Sequence, residues 1–113
     1  MHEAAIVQGL LDLAIRTAQQ NGDAPIRCVK LKLGEFRGVV REALEFCFEA
    51  MKRGTLADKA TLDVETIKLR ATCGHCGEIE CSPRDYNFLC PHCGDVLNIV
   101  AGRDMQVEYV ELD

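Results

Sequence analysis

Apolar residues recur every three or four positions in two segments of the chain, which is the spacing of one face of an α-helix. The first predicted helix ends before Asn21 and Gly22, and the second covers residues 40–54 with Gly54 as its C-terminal cap. The apolar face of the first helix consists of Ile6, Val7, Leu10, Leu11, Ala14, Ile15 and Ala18. The apolar face of the second consists of Val40, Ala43, Leu44, Cys47, Phe48 and Met51.

Between these helices the segment IRCVKLKL changes to a period of two, which is typical of a strand with one buried face. Lys30 and Lys32 occupy the positions predicted to face solvent, and Gly34 ends the strand. The positions predicted to be buried are Val29, Leu31 and Leu33.

Residues 61–70 and residues 105–112 are also predicted to form strands. The apolar phase slips between Val64 and Ile67, which indicates a bulge or burial on both faces, and it slips again at Tyr109. If the last strand returns to pair with the earlier two, the pattern predicts an α+β fold. The main part of this predicted fold is a two-layer unit of two helices on a three-stranded sheet.

Composition narrows the classes of function. The 113 residues carry a formal charge of -5, only 5% are aromatic, and the basic residues form no run, so nucleic acid is a poor partner. The N-terminus lacks the basic region of a signal peptide, and no apolar run approaches the roughly 18 residues that span a bilayer. We therefore expect a cytoplasmic protein that binds no membrane.

Seven cysteines in this chain point to metal, since cytosolic thiols stay reduced and an odd count argues against a pure disulfide framework. Four of them form two Cys-x-x-Cys pairs separated by thirteen residues, each followed by a glycine that permits a tight turn with backbone amides facing sulfur. Four thiolates suit a tetrahedral Zn²⁺ and leave no position for water, so the predicted zinc site is structural. Its predicted ligands are Cys73, Cys76, Cys90 and Cys93.

The cysteine pairs lie in a predicted insertion, residues 71–104, that resembles a zinc ribbon. About 30 residues with few large apolar side chains cannot offset a conformational cost on the order of 1–2 kcal/mol per residue. A structural zinc ion contributes roughly 10–16 kcal/mol, so metal is expected to hold the insertion together. The predicted domains are residues 1–70 with 105–113, and the zinc-binding insertion.

The other thiols and the two later histidines allow more than one interpretation. Cys28 and Cys47 are predicted to be small core residues, whereas Cys81 lies near enough to the pairs to exchange into the zinc site. His75 and His92 each precede the second cysteine of a pair, as exposed turn residues or as spare zinc ligands. A redox dithiol is the alternative for the pairs themselves, but their near repetition argues against it.

The chain begins Met-His-Glu, which places an imidazole beside an α-amine. The Met1 amine, the His2 amide nitrogen and His2 Nδ1 can close two chelate rings around one metal, with a fourth position open to Glu3 or another donor. Such a nearly planar nitrogen set suits Ni(II) or Cu(II) better than zinc. The alternative is that His2 is only a solvated terminal residue.

These features occur in a particular order: Met-His-Glu opening a helix, a strand ending KLGEF, a helix containing LEFCFE, and two late Cys-x-x-Cys pairs. Over essentially its full length the chain resembles the HypA/HybF family of hydrogenase nickel-incorporation proteins. The resemblance implies a nickel metallochaperone in which His2 is the nickel ligand, with Met1 and Glu3 contributing, beside the structural zinc. It also implies delivery to the large subunit precursor of [NiFe]-hydrogenase, support of urease in some organisms, a HypB-type GTPase partner and the capacity to form a homodimer.

The sequence leaves two other classes of function open. One is a zinc-ribbon module that binds a protein partner without transferring nickel, and the other, which charge opposes, is a zinc-ribbon nucleic-acid binder. The sequence contains no nucleophile–base pair, phosphate-binding loop or paired acid–base carboxylate motif, so no catalytic residues and no enzyme activity are predicted.

Overall fold

The computed structural model describes residues 3–83 and 87–113, so Met1 and His2, two of the predicted nickel ligands, lie outside the described residues. The chain divides into two compact units. The first unit comprises Met1–Lys32, Val39–Glu65 and Gln106–Asp113, and the second unit comprises Leu33–Gly38 and Thr66–Met105.

Both predicted helices are present in the first unit: α1 is Glu3–Gln19 and α2 is Arg41–Met51. Every predicted apolar position of α1 is buried or half-buried, and the helix ends ahead of Gly22, whose φ of 76° is incompatible with a continuing helix. Within the part of the chain that the structure describes, no helix is long and apolar enough to cross a membrane.

The ends of α2 differ from the prediction. Val40 precedes the helix as its N-cap and is 54% exposed, so it is not part of the buried face. At the other end, Lys52 is the C-cap and its backbone N–H donates to the carbonyl of Phe48. Gly54 lies beyond this cap with a φ of 75°, and therefore belongs to the following turn rather than to the helix end.

A three-stranded sheet has the order β2–β1–β6, with β1 at Ile26–Gly34, β2 at Thr61–Ile67 and β6 at Met105–Leu112. The predicted alternation of β1 is confirmed, because its apolar positions are buried and its lysines point away from the core. Lys30 Nζ lies 3.3 Å from Asp63 and 3.5 Å from Glu65 on β2. The three strands and two helices confirm the predicted α+β class.

The second predicted strand is too long at its end. β2 stops at Ile67, and a new strand starts at Arg70. Between them, Leu69 is fully buried, and its backbone groups bond outside the sheet: its N–H donates to Glu35 Oε1 at 3.1 Å and its carbonyl accepts from the Cys81 N–H at 3.4 Å. These partners explain why the strand does not continue to residue 70; within β2 itself, Val64 is buried and Ile67, three positions later, is half-buried, which is the predicted slip of the apolar phase.

The second unit contains a separate antiparallel sheet of order β4–β3–β5, with β3 at Arg70–Cys73, β4 at Gly77–Glu80 and β5 at Asn98–Ala101. An isolated bridge joins Leu89 to Val96. A small buried cluster supports these strands, with Ile79 and Cys81 packed against it. Its members are Ala71, Cys73, Cys90 and Leu97.

The predicted insertion lies within the second unit, which also includes residues 33–38 and 66–70. Two backbone hydrogen bonds hold the first of these segments there: the Gly34 N–H donates to the Asp104 carbonyl and the Phe36 N–H donates to the Gly102 carbonyl, both at 2.8 Å. These contacts link positions far apart in the chain, so no local pattern signals them. That residues 71–104 and the rest of the chain form two independent domains stays a prediction.

Gly102 offers a test of this packing. Its φ is 86°, and a Cβ there would lie 2.5 Å from the carbonyl oxygen of Lys68. We expect Gly102→Ala to lower the free energy of unfolding by more than about 2 kcal/mol, because a left-handed conformation and a backbone clash add together. Guanidinium unfolding of the metal-loaded protein, followed by circular dichroism, measures this change.

Gly9 in α1 is the matched control, since a Cβ added there would meet nothing within 4 Å and its φ is not in the left-handed region. Gly9→Ala should raise the free energy of unfolding by about 0.5–1 kcal/mol. Equal unfolding midpoints for the two variants would contradict the strained packing at Gly102.

Candidate metal centre

The four sulfur atoms of the Cys-x-x-Cys pairs lie within 4.8 Å of one another. Cys73 ends β3 and Cys76 immediately precedes β4, so the first pair occupies the turn between two paired strands. In the second pair, Cys90 follows the bridge residue Leu89. The sulfurs of Cys73 and Cys93 are 3.4 Å apart. The structure therefore brings together all four cysteines that the sequence predicts as zinc ligands.

Each pair forms a tight turn in which backbone amides face sulfur. The His75 N–H donates to Cys73 Sγ at 3.5 Å, and the His92 N–H donates to Cys90 Sγ at 3.4 Å. The glycine that closes each turn has a positive φ, 82° in the first turn and 81° in the second. This geometry confirms the predicted role of the two glycines and shows that the turns are near copies of each other.

The thiols differ in how easily they ionise. Hydrogen bonds from backbone N–H groups, above all that of His75, lower the pKa of Cys73. Burial opposes ionisation of Cys90, but backbone N–H groups outweigh burial and lower its pKa to about 7. The neighbouring thiols of Cys93 and Cys90 raise the pKa of Cys76 to about 12. Four thiolates in one cluster therefore require a cation between them.

A structural zinc ion fits this donor set. A Zn–S distance of about 2.3 Å places the sulfurs of a tetrahedron about 3.8 Å apart. That edge is close to the 3.4 Å between Cys73 and Cys93 and lies inside the 4.8 Å span of the cluster. Four sulfur donors leave no coordination position for a reacting water, which is typical of a structural rather than a catalytic zinc site.

The remaining cysteines lie outside the four-sulfur group. Cys28 and Cys47 are half-buried, each in the strand or helix where it was predicted. Cys81 is also half-buried and packs against the small core of the second unit, where burial raises the pKa of its thiol. Its exchange into the zinc site stays a prediction.

One contact beside the sulfurs was not predicted from the sequence. His75 Nε2 lies 2.8 Å from Asp95 Oδ2, which joins the first cysteine turn to the residue that follows the second. His75 and His92 are both exposed, as the simpler interpretation expected. The near repeat of the two turns, with an acidic residue after each glycine, was the available signal for the contact.

Of the predicted nickel ligands, Met1 and His2 lie outside the described residues, and only Glu3 can be placed. Glu3 is the first residue of α1 and is only 8% exposed. Its Oε2 accepts a hydrogen bond from the backbone N–H of Val40 at 3.3 Å, directly before α2. The carboxylate of Glu3 therefore joins the beginnings of the two helices.

The fold and the sulfur cluster together define a small α+β metal-binding protein with a zinc-ribbon-like unit. A family model described as hydrogenase/urease nickel incorporation, metallochaperone, hypA, matches residues 1–112. The chain therefore belongs to the HypA family of nickel metallochaperones.

Individual relatives agree with this assignment. The hydrogenase maturation factor HypA of Aquifex aeolicus is 39% identical and the alignment covers 100% of this chain and 98% of the relative. The corresponding factor of Geobacter sulfurreducens is 38% identical over 100% of both chains. The solution structure of the Ni metallochaperone HypA from Helicobacter pylori matches with a TM-score of 0.67 at 26% identity, covering 99% of this chain and 97% of that one. A further HypA solution structure matches with a TM-score of 0.71 at 23% identity, covering 99% of this chain and 96% of that one, and supports the fold.

Removing one buried sulfur tests the metal centre. We expect Cys90→Ala to weaken zinc binding by more than about a hundredfold. Loss of a residue that only hydrogen-bonds a metal ligand already costs up to about a hundredfold in affinity, and Cys90 is a direct ligand. The second unit should lose its ordered structure with the metal. Metal analysis and two-dimensional NMR of the full chain measure both effects. Cys81 is a half-buried cysteine outside the cluster, so the Cys81→Ala variant should retain zinc. Equal loss of zinc in the two variants would contradict the assignment of the four ligands.

Proton release gives a second test. The Asp95 N–H lowers the pKa of Cys93, but the Cys73 thiol and burial outweigh it, so the pKa is raised overall, as it is for Cys76. Both thiols are protonated at neutral pH, so zinc binding should release at least these two protons. The apparent affinity should then fall by about a hundredfold or more for each unit that the pH is lowered. Calorimetry in buffers of different ionisation enthalpy counts the protons, and a count of one or none would refute the expectation.

Proposed function

We propose that this chain binds Ni(II) at its N-terminus and delivers it for insertion into the large subunit of [NiFe]-hydrogenase. Membership of a family of nickel metallochaperones over residues 1–112 carries the proposal. The sequence Met-His-Glu at the start of the chain supplies the donors. Relatives that match over the whole chain are named hydrogenase maturation factors, which supports hydrogenase as the destination.

The proposed nickel site consists of nitrogen donors. The Met1 amine, the His2 amide and His2 Nδ1 occupy three positions of a nearly planar set, which matches the tetragonal preference of Ni(II). Glu3 contributes at or near the fourth position. Because such a site is built at a chain terminus without a surrounding cage, its ligands can be exchanged one at a time, as delivery to another protein requires.

The contact of Glu3 supports this location. Its buried carboxylate accepts the Val40 N–H, so the first residue of α1 is fixed against the segment that begins α2. A chelate that ends at Glu3 is therefore attached to a folded unit rather than to a loose tail. A carboxylate in this position also places negative charge beside the bound cation.

Zinc has a different task in the proposal. Cys73, Cys76, Cys90 and Cys93 hold Zn²⁺ permanently, and the ion supplies the stability that the small core of the second unit lacks. Nickel is cargo at one site, and zinc is part of the structure at the other.

The proposal includes specific partners. A HypB-type GTPase and the hydrogenase large subunit precursor are the expected protein partners, and the chain has the capacity to form a homodimer. The family description also names urease, so a urease precursor is a second expected recipient of nickel. Each of these contacts would take place in the cytoplasm.

His2→Ala tests the nickel site directly. The variant should lose stoichiometric Ni(II) binding while it keeps its zinc content and its fold, because only one of the two sites loses a donor. An added residue before Met1 should have the same effect, since it converts the terminal amine to an amide. Equilibrium dialysis against nickel, with zinc measured on the same samples, gives the result.

His92→Ala is the matched control, because this histidine is exposed and lies far along the chain from the N-terminus. It should bind nickel as the unmodified protein does. Unchanged nickel binding by His2→Ala would refute the assigned ligand. No nickel binding by the unmodified chain would favour the alternative, a zinc-ribbon module that only binds a protein partner.

A further inference from the structure

A cavity of about 370 Å³ lies in the second unit, beside the turn that begins with Cys90. The end of β4 forms one part of its wall, and residues 87–97 contribute to the rest. The apolar side chains of the wall are Ile79, Leu89, Pro91 and Leu97. A cavity of this volume with a largely apolar wall is typical of sites that receive an apolar group from a ligand or partner.

Apolar side chains continue from this cavity onto the open surface. Leu89 is itself exposed, and the bridge between Leu89 and Val96 places both side chains on the same face. Val96 is 70% exposed, and the neighbouring Phe88 is exposed as well. Adjacent exposed apolar side chains mark interaction surfaces, whereas single ones are ordinary. Because the apolar surface extends beyond the cavity, it fits a stretch of polypeptide better than a compact small molecule.

The charge of this part of the chain is negative. Residues 71–101 contain four carboxylates and one arginine. Glu78 already accepts a hydrogen bond from Arg70, but Glu80, at the cavity, forms no ion pair within the part of the chain that the structure describes. Four thiolates around one Zn²⁺ leave a further net negative charge nearby. These charges favour a cationic partner and disfavour nucleic acid or an anionic membrane.

The main chain beside the cavity can pair with an extended segment. β4 is an outer strand of its sheet and pairs with β3. The Cys81 N–H donates to the Leu69 carbonyl across that pair, and successive residues of an antiparallel pair alternately face toward and away from the partner strand. The N–H and carbonyl of Glu80 therefore face away from β3, where an added strand can bond them.

We propose that this cavity and the outer edge of β4 bind an extended segment of a partner protein in which an apolar side chain such as leucine lies next to a lysine or arginine. The apolar side chain enters the cavity, and the cation pairs with the Glu80 carboxylate. Flanking residues of the segment cover Leu89 and Val96, which removes their apolar surface from water. The surface belongs to the second unit and the proposed nickel donors belong to the first, so the inference goes beyond the proposed function and does not depend on it.

Peptide titration of the zinc-loaded full chain tests the docking surface. The probe is a nonapeptide blocked at both ends, with Lys-Leu-Lys at the centre of a Gly-Ser sequence, and two-dimensional NMR reports binding. The shift changes should saturate and should be confined to β4 and residues 87–97. A Lys-Ala-Lys peptide should bind about ten- to thirtyfold more weakly, because alanine buries less apolar surface than leucine. Glu80→Gln should weaken binding of the Lys-Leu-Lys peptide about two- to fivefold, the range for one exposed ion pair.

Two valine substitutions separate the docking surface from a general effect of charge. Val96→Lys replaces an apolar contact opposite Leu89 with a cation and should weaken binding of the Lys-Leu-Lys peptide about tenfold or more. Val100 is the matched control, since it is 52% exposed, lies in β5 and does not line the cavity. Val100→Lys makes the same change in charge and should leave the affinity within about twofold, because solvent ions screen exposed charges that are not adjacent.

The outcomes distinguish this inference from the proposed function. Absence of saturable shifts at millimolar peptide, or equal affinities for peptides with Lys-Leu-Lys, Lys-Ala-Lys and Glu-Leu-Glu, would overturn the docking surface. Equal effects of the two valine substitutions would overturn it as well, since charge alone would then explain binding. His2→Ala should bind the peptide as the unmodified chain does, so loss of nickel binding and loss of peptide binding are separate results.

Discussion

Coordination of one dication by four sulfurs is the interaction on which the second unit depends. Its buried cluster has four members, and two of them, Cys73 and Cys90, are themselves metal ligands. The other two, Ala71 and Leu97, together with the few apolar side chains near them, bury too little apolar area to offset the entropy of ordering the surrounding strands. A zinc ion in this cluster therefore takes the place that a hydrophobic core has in a larger domain, and backbone amides in the two glycine-closed turns help to position the thiols for it.

We expect the first unit to fold without metal, because both helices and the central strand contribute large buried side chains such as Leu10, Phe48 and Leu31. Its proposed nickel site can therefore be loaded and emptied without loss of structure. The two sites also differ in donor chemistry. A tetrahedron of soft sulfur suits zinc, whereas an amine, an amide and an imidazole in one plane suit Ni(II). In the proposed arrangement, geometry and donor type together keep the permanent metal and the cargo at separate positions.

The parts of this structure that could be predicted from the sequence are those set by local spacing. Helical periodicity located α1, alternation identified the buried face of β1, and the spacing of the cysteines identified the metal centre. The end of β2 and the placement of residues 33–38 could not be predicted, because Leu69 and Gly34 bond to residues more than thirty positions away. The His75–Asp95 contact could not be predicted either, because each turn offers a similar carboxylate after its glycine and local spacing does not decide which one a histidine contacts.

We propose that one chain holds two metals by different donor atoms. X-ray absorption at the zinc and nickel edges of the doubly loaded protein tests it in one sample. We expect four sulfur neighbours at about 2.3 Å from zinc, and only nitrogen and oxygen neighbours around nickel. Sulfur in the nickel coordination shell, or nitrogen replacing sulfur at zinc, would contradict it.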